Sequence, residues 1–126
     1  MGLVTKMIVA KSIEFDAAHF LPGYKGKCSS LHGHRWRVEI GVEGRLDPTT
    51  GMVIDFTLLK DFLNTYIMDN LDHSLLNDKL DNPTAENLVV LINSYYLSWR
   101  CKFASDIKLK WIKVWETEDS YALLSY

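Results

Sequence analysis

The chain has 126 residues, of which 48% are hydrophobic and 24% are charged, and its formal net charge is −2. This length fits one domain spanning residues 1–126, and the weakly acidic charge balance gives no support for a nucleic-acid-binding surface. No apolar run approaches the length of a membrane span, and the first residues lack the apolar stretch of a signal peptide. We therefore expect a cytoplasmic protein that binds neither nucleic acid nor membrane.

Two strands are predicted in the first third of the chain. Residues 7–19 are rich in β-branched side chains and partly alternate, and residues 20–30 form a loop that contains Pro22, Gly23 and Gly26. Residues 31–43 form the second strand, whose two faces differ in polarity. One face is mostly apolar and carries His32, His34, Trp36, Val38, Ile40 and Val42, whereas the other carries Arg35, Arg37 and Glu39.

Three of the four histidines lie close together in this part of the sequence and predict a metal site. His32 and His34 lie two residues apart on one strand, so their Cα atoms are about 6–7 Å apart on the same face. His19 ends the preceding strand and is the candidate third ligand. Three imidazole nitrogens leave a fourth zinc position open, which is typical of a catalytic rather than a structural zinc site.

The middle of the chain predicts two helices. Asp47–Gly51 form a turn, residues 52–54 a short strand, and Asp55 caps a helix whose apolar residues recur at helical spacing. Residues 71–77 break that periodicity. A second helix begins at residues 82–87, with Asn82 or Thr84 as its N-cap and Pro83 in its first turn, and it runs to about residue 100.

The chain ends with strands at residues 107–116 and 122–125. The element order is therefore ββ-αα-ββ, which indicates an α+β domain. We expect a four-stranded antiparallel sheet with two helices packed on one face.

Further residues could contribute acid–base or binding chemistry. Cys28 lies in a polar loop four residues before His32, where a metal or Lys25 and Lys27 would favour its thiolate, although a free cysteine is more often a small buried apolar residue. The other cysteine, Cys101, is distant in sequence, so we expect no disulfide.

Asp72 and His73 could form a proton-transfer pair, although Asp-His dipeptides are also common at helix ends. Glu116 ends a strand and could accept two N–H bonds from a planar heterocycle, or it could be a solvated strand-end charge. Spacing alone does not decide between these interpretations.

Read together, six segments resemble the 6-pyruvoyltetrahydropterin synthase / 6-carboxytetrahydropterin synthase family. They occur in family order and cover nearly the whole chain. The segments are Phe15-Asp16-Ala17-Ala18-His19, Cys28-Ser29-Ser30-Leu31-His32-Gly33-His34, Val53-Ile54-Asp55-Phe56, Leu71-Asp72-His73-Ser74-Leu75-Leu76-Asn77, Pro83-Thr84-Ala85-Glu86-Asn87 and Trp115-Glu116-Thr117.

The resemblance implies a tunnelling fold, in which subunits close into a barrel as trimers and two trimers stack into a homohexamer. It implies that His19, His32 and His34 hold Zn²⁺. It also implies that Cys28, Asp72 and His73 transfer protons, the group being assembled across a subunit interface. By the same resemblance Glu116 anchors a pterin ring, helped by Thr84 and Glu86.

The implied substrate is 7,8-dihydroneopterin triphosphate. The three residues between Cys28 and His32 resemble the 6-carboxytetrahydropterin synthase branch, which releases acetaldehyde and triphosphate and supplies deazapurine (queuosine or archaeosine) biosynthesis. The 6-pyruvoyl branch, which eliminates triphosphate, stays open as an alternative. A non-catalytic pterin- or metal-binding protein is the second alternative. Lys25, Lys27, Arg35 and Arg37 are the candidates for holding the triphosphate.

Overall fold

A computed structural model describes residues 5–102 and 106–126 of the chain. The described residues form one five-stranded sheet with strand order β3-β1-β2-β4-β5. Its strands are β1 (Lys6–His19), β2 (His32–Arg45), β3 (Ser74–Leu75), β4 (Lys108–Thr117) and β5 (Ser120–Ser125). The pairs β1–β2, β2–β4 and β4–β5 are antiparallel, whereas β3 runs parallel to β1.

The predicted four-stranded antiparallel sheet is therefore wrong in strand number and in direction. The four long strands pair as expected, but the two residues of β3 add a parallel edge through the pairs Ala17–Ser74 and Ala18–Leu75. Two residues are too few for any alternation pattern, so the sequence carried no signal for this strand. The short strand predicted at residues 52–54 does not form; Val53 and Ile54 instead pack against the core from a bend.

Two helical regions follow β2. The first consists of α1 (Phe56–Phe62), a π-helical segment (Leu63–Met68) and α2 (Asp69–Leu71), and the second is α3 (Ala85–Arg100). Because β3 lies between the two regions, the element order departs from the simple ββ-αα-ββ prediction. Short 3₁₀ turns occupy Lys27–Ser29 and Leu76–Asp78.

Both helical regions begin at a side-chain cap. The Asp55 carboxylate accepts a hydrogen bond from the Thr57 N–H at 2.9 Å, which confirms the predicted start of the first helix. The Thr84 hydroxyl accepts from the Asn87 N–H at 3.1 Å, so Thr84 is the N-cap of α3. The prediction that Pro83 lies in the first turn of this helix is wrong, because Pro83 precedes the cap. Each cap satisfies a backbone N–H that has no partner within its helix.

The helices cover one face of the sheet, as predicted, and the core lies between the two layers. Trp36, Val38, Ile40 and Val42 of β2 are all fully buried, in agreement with the predicted apolar face. They pack with helical side chains that include Leu59, Phe62, Leu88 and Ile92. Burial of this apolar surface is the main favourable contribution to folding. Arg35 and Arg37 lie on the opposite, open face of the sheet. None of the helices in residues 5–102 and 106–126 is long and apolar enough to cross a membrane.

Candidate metal centre

The antiparallel register of β1 and β2 brings His19, His32 and His34 together. His19 lies directly opposite His32, and Ala17 lies opposite His34, so all three imidazoles project from the helix-facing side of the sheet. Their ring centroids are 4.6 Å, 5.2 Å and 4.7 Å apart for the pairs 19–32, 19–34 and 32–34. One potential ligand atom from each residue lies within 4.8 Å of the other two.

Two backbone carbonyls orient the His19 and His32 rings. The His19 Nδ1–H donates to the Pro83 carbonyl at 2.8 Å, and the His32 Nδ1–H donates to the Ser30 carbonyl at 2.7 Å. Because a carbonyl oxygen can only accept a hydrogen bond, the Nδ1 atom of each ring carries a proton. In the neutral form of each ring the lone pair is therefore on Nε2, on the side away from the carbonyl. These two Nε2 atoms lie 3.1 Å apart. Two facing lone pairs at this distance repel each other unless a proton or a cation lies between them.

The third imidazole, His34, is partly exposed, but its Nε2 atom is buried without a hydrogen-bond partner. The Nε2 atom of His34 is inaccessible to solvent and makes no hydrogen bond in the described structure. Burial lowers the pKa of His34, the Glu116 carboxylate opposes this effect, and the neighbouring His19 and His32 lower the pKa further. His34 therefore stays neutral to a lower pH than an exposed histidine, and a neutral imidazole is the form that binds metal.

Trp36 packs against two of the three rings. Its ring centroid lies 5.0 Å from that of His19 and 5.6 Å from that of His34, with both pairs edge to face. The Trp36 indole N–H donates to the Ala17 carbonyl at 3.2 Å, which fixes the indole between the strands. His19 is fully buried, and it is the one polar or charged side chain in that class among the residues that the structure describes.

This donor set fits a zinc ion. Three neutral imidazoles with convergent nitrogens suit Zn²⁺, and His-ligated zinc sites commonly have the second ring nitrogen bonded to a carbonyl or carboxylate. Both features are present here, and a buried nitrogen without a partner is a group that a metal ion would satisfy. The residues present therefore fit the metal that the sequence resemblance implies.

Glu116 lies beside the histidines, at the end of β4. Its two carboxylate oxygens are 3.8 Å from His34 Nε2 and 3.9 Å from His19 Nε2, and its side chain is partly exposed. Glu116 also lines a cavity of about 390 Å³, together with Ala85 and Glu86 of α3 and four consecutive residues of β5, namely Ser120, Tyr121, Ala122 and Leu123. A cavity that holds two carboxylates beside a candidate metal centre suits a small polar ligand.

The three residues expected to bind the ligand ring occupy different positions in the structure. Glu86 and Glu116 line the same cavity. Thr84 does not line the cavity, although the next residue, Ala85, does. The Thr84 hydroxyl instead caps α3. Thr84 therefore positions the start of the helix that presents Glu86.

Asp72 and His73 form a hydrogen-bonded pair next to the parallel edge strand. The His73 Nδ1–H donates to Asp72 Oδ2 at 2.8 Å, and the His73 side chain is largely exposed. Hydrogen bonds from the Asp16 N–H and the His73 ring lower the pKa of Asp72. Its carboxylate in turn raises the pKa of His73, so that His73 holds its proton to a higher pH than a free histidine.

Cys28 makes no hydrogen bond to these groups among the residues that the structure describes. It occupies the 3₁₀ turn of the β1–β2 loop, is partly buried, and accepts a hydrogen bond from the Leu21 N–H at its backbone carbonyl. His73 and His34 line a shared open hollow of about 650 Å³, and Cys28 is not one of the residues that line it. The structure thus brings the three histidines and Glu116 together, but it does not bring Cys28 to the Asp72–His73 pair.

Sequence reasoning did not find two groups that orient the metal-site histidines. The carbonyls of Ser30 and Pro83 fix the His32 and His19 rings. Every residue has a carbonyl, so residue type gives no sign of this role.

The chain is similar to known proteins in sequence and in structure. Residues 8–125 match the family model of 6-pyruvoyl tetrahydropterin synthase. A 6-carboxy-5,6,7,8-tetrahydropterin synthase from Synechocystis is 44% identical over 91 residues, covering 68% of this chain and 70% of the relative. A dihydroneopterin monophosphate aldolase from Pyrococcus furiosus is 37% identical over 102 residues, covering 81% and 82%. The solved structure of Caenorhabditis elegans 6-pyruvoyl tetrahydropterin synthase superimposes with a TM-score of 0.83 at 23% identity, covering 100% of this chain and 99% of that one.

Metal binding can be tested by removing one imidazole. We expect the protein to retain about one Zn²⁺ per chain after equilibration with the ion and removal of excess. His34→Ala removes a ligand from the centre and is expected to weaken zinc affinity by more than about 100-fold, since loss of even an outer partner costs 10–100-fold. Elemental analysis and competition with a chromophoric chelator measure both quantities.

His73→Ala is the matched control for this experiment. It removes an exposed imidazole that is not part of the histidine group, so zinc content and affinity should stay at the wild-type level. Wild-type zinc affinity in His34→Ala, or a comparable loss in both variants, would contradict a centre built on these three histidines.

Proposed function

The chain belongs to the 6-pyruvoyl tetrahydropterin synthase family of pterin-processing lyases, and from this premise we propose its reaction. We propose that it is a zinc-dependent lyase that converts 7,8-dihydroneopterin triphosphate to 6-carboxy-5,6,7,8-tetrahydropterin, with loss of acetaldehyde and triphosphate. The proposed pathway is deazapurine biosynthesis, of queuosine or archaeosine. The Synechocystis relative bears the name of this enzyme, and the gap between Cys28 and His32 has the length expected for it.

One observation carries the proposal more than any other. Glu116 lines a cavity of about 390 Å³, and its carboxylate oxygens lie 3.8 Å from His34 Nε2 and 3.9 Å from His19 Nε2 in the histidine group. A ligand whose ring bonds to Glu116 would extend its side chain toward the histidines. This arrangement matches a pterin substrate, in which the reacting carbons lie on a short side chain attached to the ring.

The metal site and the protein's own residues have separate tasks in this reaction. A zinc ion held by His19, His32 and His34 would act as a Lewis acid toward the hydroxyl oxygens of the substrate side chain. We assign to the Cys28 thiolate the removal of a proton from the side-chain carbon. We assign to His73 the holding and return of a proton at its ring, because the Asp72 hydrogen bond favours its protonated form.

Assembly of subunits would bring Cys28 to the other proton-transfer residues. Both β3 and β5 are edge strands, and β5 exposes Tyr121 and Leu123. Unpaired edges favour association, and closure into a ring removes them. We propose a homohexamer made of two trimers, and light scattering during gel filtration should give six times the mass of the 14.5 kDa chain. A monomeric mass at micromolar concentration would contradict this assembly.

Product identification tests the proposed reaction. Incubation of the zinc-loaded protein with 7,8-dihydroneopterin triphosphate should release acetaldehyde and give a 6-carboxy product, both detectable by mass spectrometry. Loss of the proposed base in Cys28→Ala should lower kcat by about 100-fold or more, within the range typical of general acid–base catalysis. Cys101→Ala is the matched control, because Cys101 is an exposed thiol at the end of α3 and should leave turnover unchanged.

The outcomes of this experiment separate the alternatives. A pyruvoyl product without acetaldehyde would identify the 6-pyruvoyltetrahydropterin synthase reaction. The family model and the Caenorhabditis elegans structure both carry the name of that enzyme. Ring binding without turnover, equal in wild type and Cys28→Ala, would identify a non-catalytic pterin-binding protein. Either result overturns the proposed reaction.

Glu116 is assigned to the pyrimidine edge of the pterin, and this assignment can be tested by binding. Glu116→Gln removes a charged acceptor, and hydrogen bonds to charged groups contribute about 1.5–3 kcal/mol, so the Kd of a pterin should rise about 10- to 100-fold. Fluorescence titration with a non-reacting pterin measures this. Glu118→Gln is the control, since Glu118 lines a different hollow. Equal affinity in wild type and Glu116→Gln would contradict the assignment.

A further inference from the structure

The backbone of Asp16 makes one hydrogen bond to Asp72 and one to His73. The Asp16 N–H donates to Asp72 Oδ1 at 3.0 Å, and the Asp16 carbonyl accepts from the His73 N–H at 2.6 Å. Asp16 lies on β1, three residues before His19. The position of the exposed pair relative to the histidine centre is therefore set by one strand.

His73 needs this support because its backbone is strained. Its φ angle is 57°, and no other non-glycine residue among those described has a positive φ. A left-handed conformation is unfavourable for a residue with a Cβ and persists where surrounding contacts enforce it. Here the contacts are the bond to the Asp16 carbonyl and the ring bond to Asp72. The positive φ angle, held by these two bonds, sets the direction in which the His73 side chain projects from the backbone.

The carboxylate of Asp16 is a second potential partner for the same imidazole. Ligand atoms of Asp16, Asp72 and His73 lie within 4.8 Å of one another. Arg35 engages both oxygens of Asp16, with Nε–Oδ1 at 3.2 Å and Nη2–Oδ2 at 3.3 Å. A third N–H of the same guanidinium donates to Glu14 at 3.3 Å. The fork geometry of arginine suits this simultaneous grip on two carboxylates.

We propose that Asp16 and Arg35 are positioning residues for His73: the Asp16 main chain fixes the Asp72–His73 segment, and Arg35 occupies both oxygens of the Asp16 carboxylate, which leaves Asp72 as the one carboxylate bonded to the imidazole among the described residues. The effect on turnover rests on the proposed function of His73. The placement and the titration of the ring do not depend on that function. Arg35 is thereby assigned a task other than binding the triphosphate.

The charges around His73 determine what each substitution does to the pKa of His73. Asp72 raises it through the direct hydrogen bond, and Asp16 raises it less, through space. The titratable or charged groups that face this ring from the neighbouring elements are Asp72 on its own segment, Asp16 on β1, and Arg35 and His34 on β2. Glu14 on β1 bonds to Arg35 and does not line the hollow that holds the His73 ring.

Removing Arg35 leaves the negative charge of Asp16 uncompensated, so Arg35→Gln should raise the pKa of His73. Asp16→Asn removes that negative charge and should lower the pKa of His73. These opposite directions distinguish positioning by charge from a merely structural role. A substitution that only loosened the segment would weaken the Asp72 bond, and both variants would then lower the pKa of His73.

The experiment is a nuclear magnetic resonance titration of the ring protons in the zinc-loaded protein, with the His73 signal assigned from its loss in His73→Gln. We expect a higher midpoint in Arg35→Gln and a lower midpoint in Asp16→Asn. Arg35→Lys, which keeps the charge, should return the midpoint toward the wild-type value. Glu14→Gln is the matched control, because it removes a partner of Arg35 without touching Asp16, and its midpoint should stay unchanged.

Turnover provides the second readout. In Arg35→Gln the pH profile of kcat should move to higher pH with the His73 midpoint, while the KM for substrate stays unchanged. A KM at least tenfold higher with an unchanged His73 midpoint would overturn the proposal and identify Arg35 as a triphosphate ligand. Midpoints that move in the same direction in both variants, or in neither, would also overturn it.

Failure of the proposed function would give a different pattern from failure of the positioning role. If the wild type does not turn over the substrate but the midpoints move in opposite directions, the function is wrong and the positioning role stands. If Asp16→Asn does not fold, the Arg35 and Glu14 variants still test the proposal. A raised His73 midpoint in Arg35→Gln, with wild-type midpoints in Arg35→Lys and Glu14→Gln, supports it, and a lowered or unchanged midpoint in Arg35→Gln overturns it.

Discussion

The antiparallel pairing of β1 with β2 is the constraint on which the candidate site depends. It places His19 opposite His32 and Ala17 opposite His34, and thereby brings three imidazoles to one side of the sheet. A slip of one residue would turn the whole apolar set, from Trp36 to Val42, toward the open face. Because these side chains form the core, the hydrophobic effect that stabilises the fold also fixes the register of the histidines.

The same strand connects the separate parts of the site. His19 ends β1, and its ring is oriented by the carbonyl of Pro83, the residue before the N-cap of α3. Asp16, three residues earlier, anchors Asp72 and His73 at the parallel edge. Glu116 reaches the histidines from β4, the strand on the other side of β2. The histidines and Glu116 are thus positioned by strand pairing, and the Asp72–His73 pair is tied to the same strand by backbone hydrogen bonds to Asp16.

The sequence predicted those features that repeat or have a characteristic residue type. Alternation along β2 identified the buried face, and the spacing of His32 and His34 predicted their convergence. Asp55 marked the start of the first helix, and of the two caps predicted for the second, Asn82 or Thr84, the structure uses Thr84. The sequence could not predict β3, because two residues show no period, nor the carbonyls of Ser30 and Pro83, because backbone groups leave no residue signature. The role of Cys28 was inferred from its position near His32 and from the family resemblance, and the described structure shows no hydrogen bond between Cys28 and His73, so we keep that role as a proposal.

The most direct test of the account is X-ray absorption at the zinc edge of the zinc-loaded protein. The account predicts three imidazole nitrogens at about 2.0–2.1 Å, with the multiple-scattering signature of histidine rings, and one further light atom. The Cys28 sulfur is assigned to proton transfer rather than to the metal, so no sulfur should appear. A sulfur shell at about 2.3 Å, or fewer than three imidazoles around the ion, would contradict a metal centre built on His19, His32 and His34.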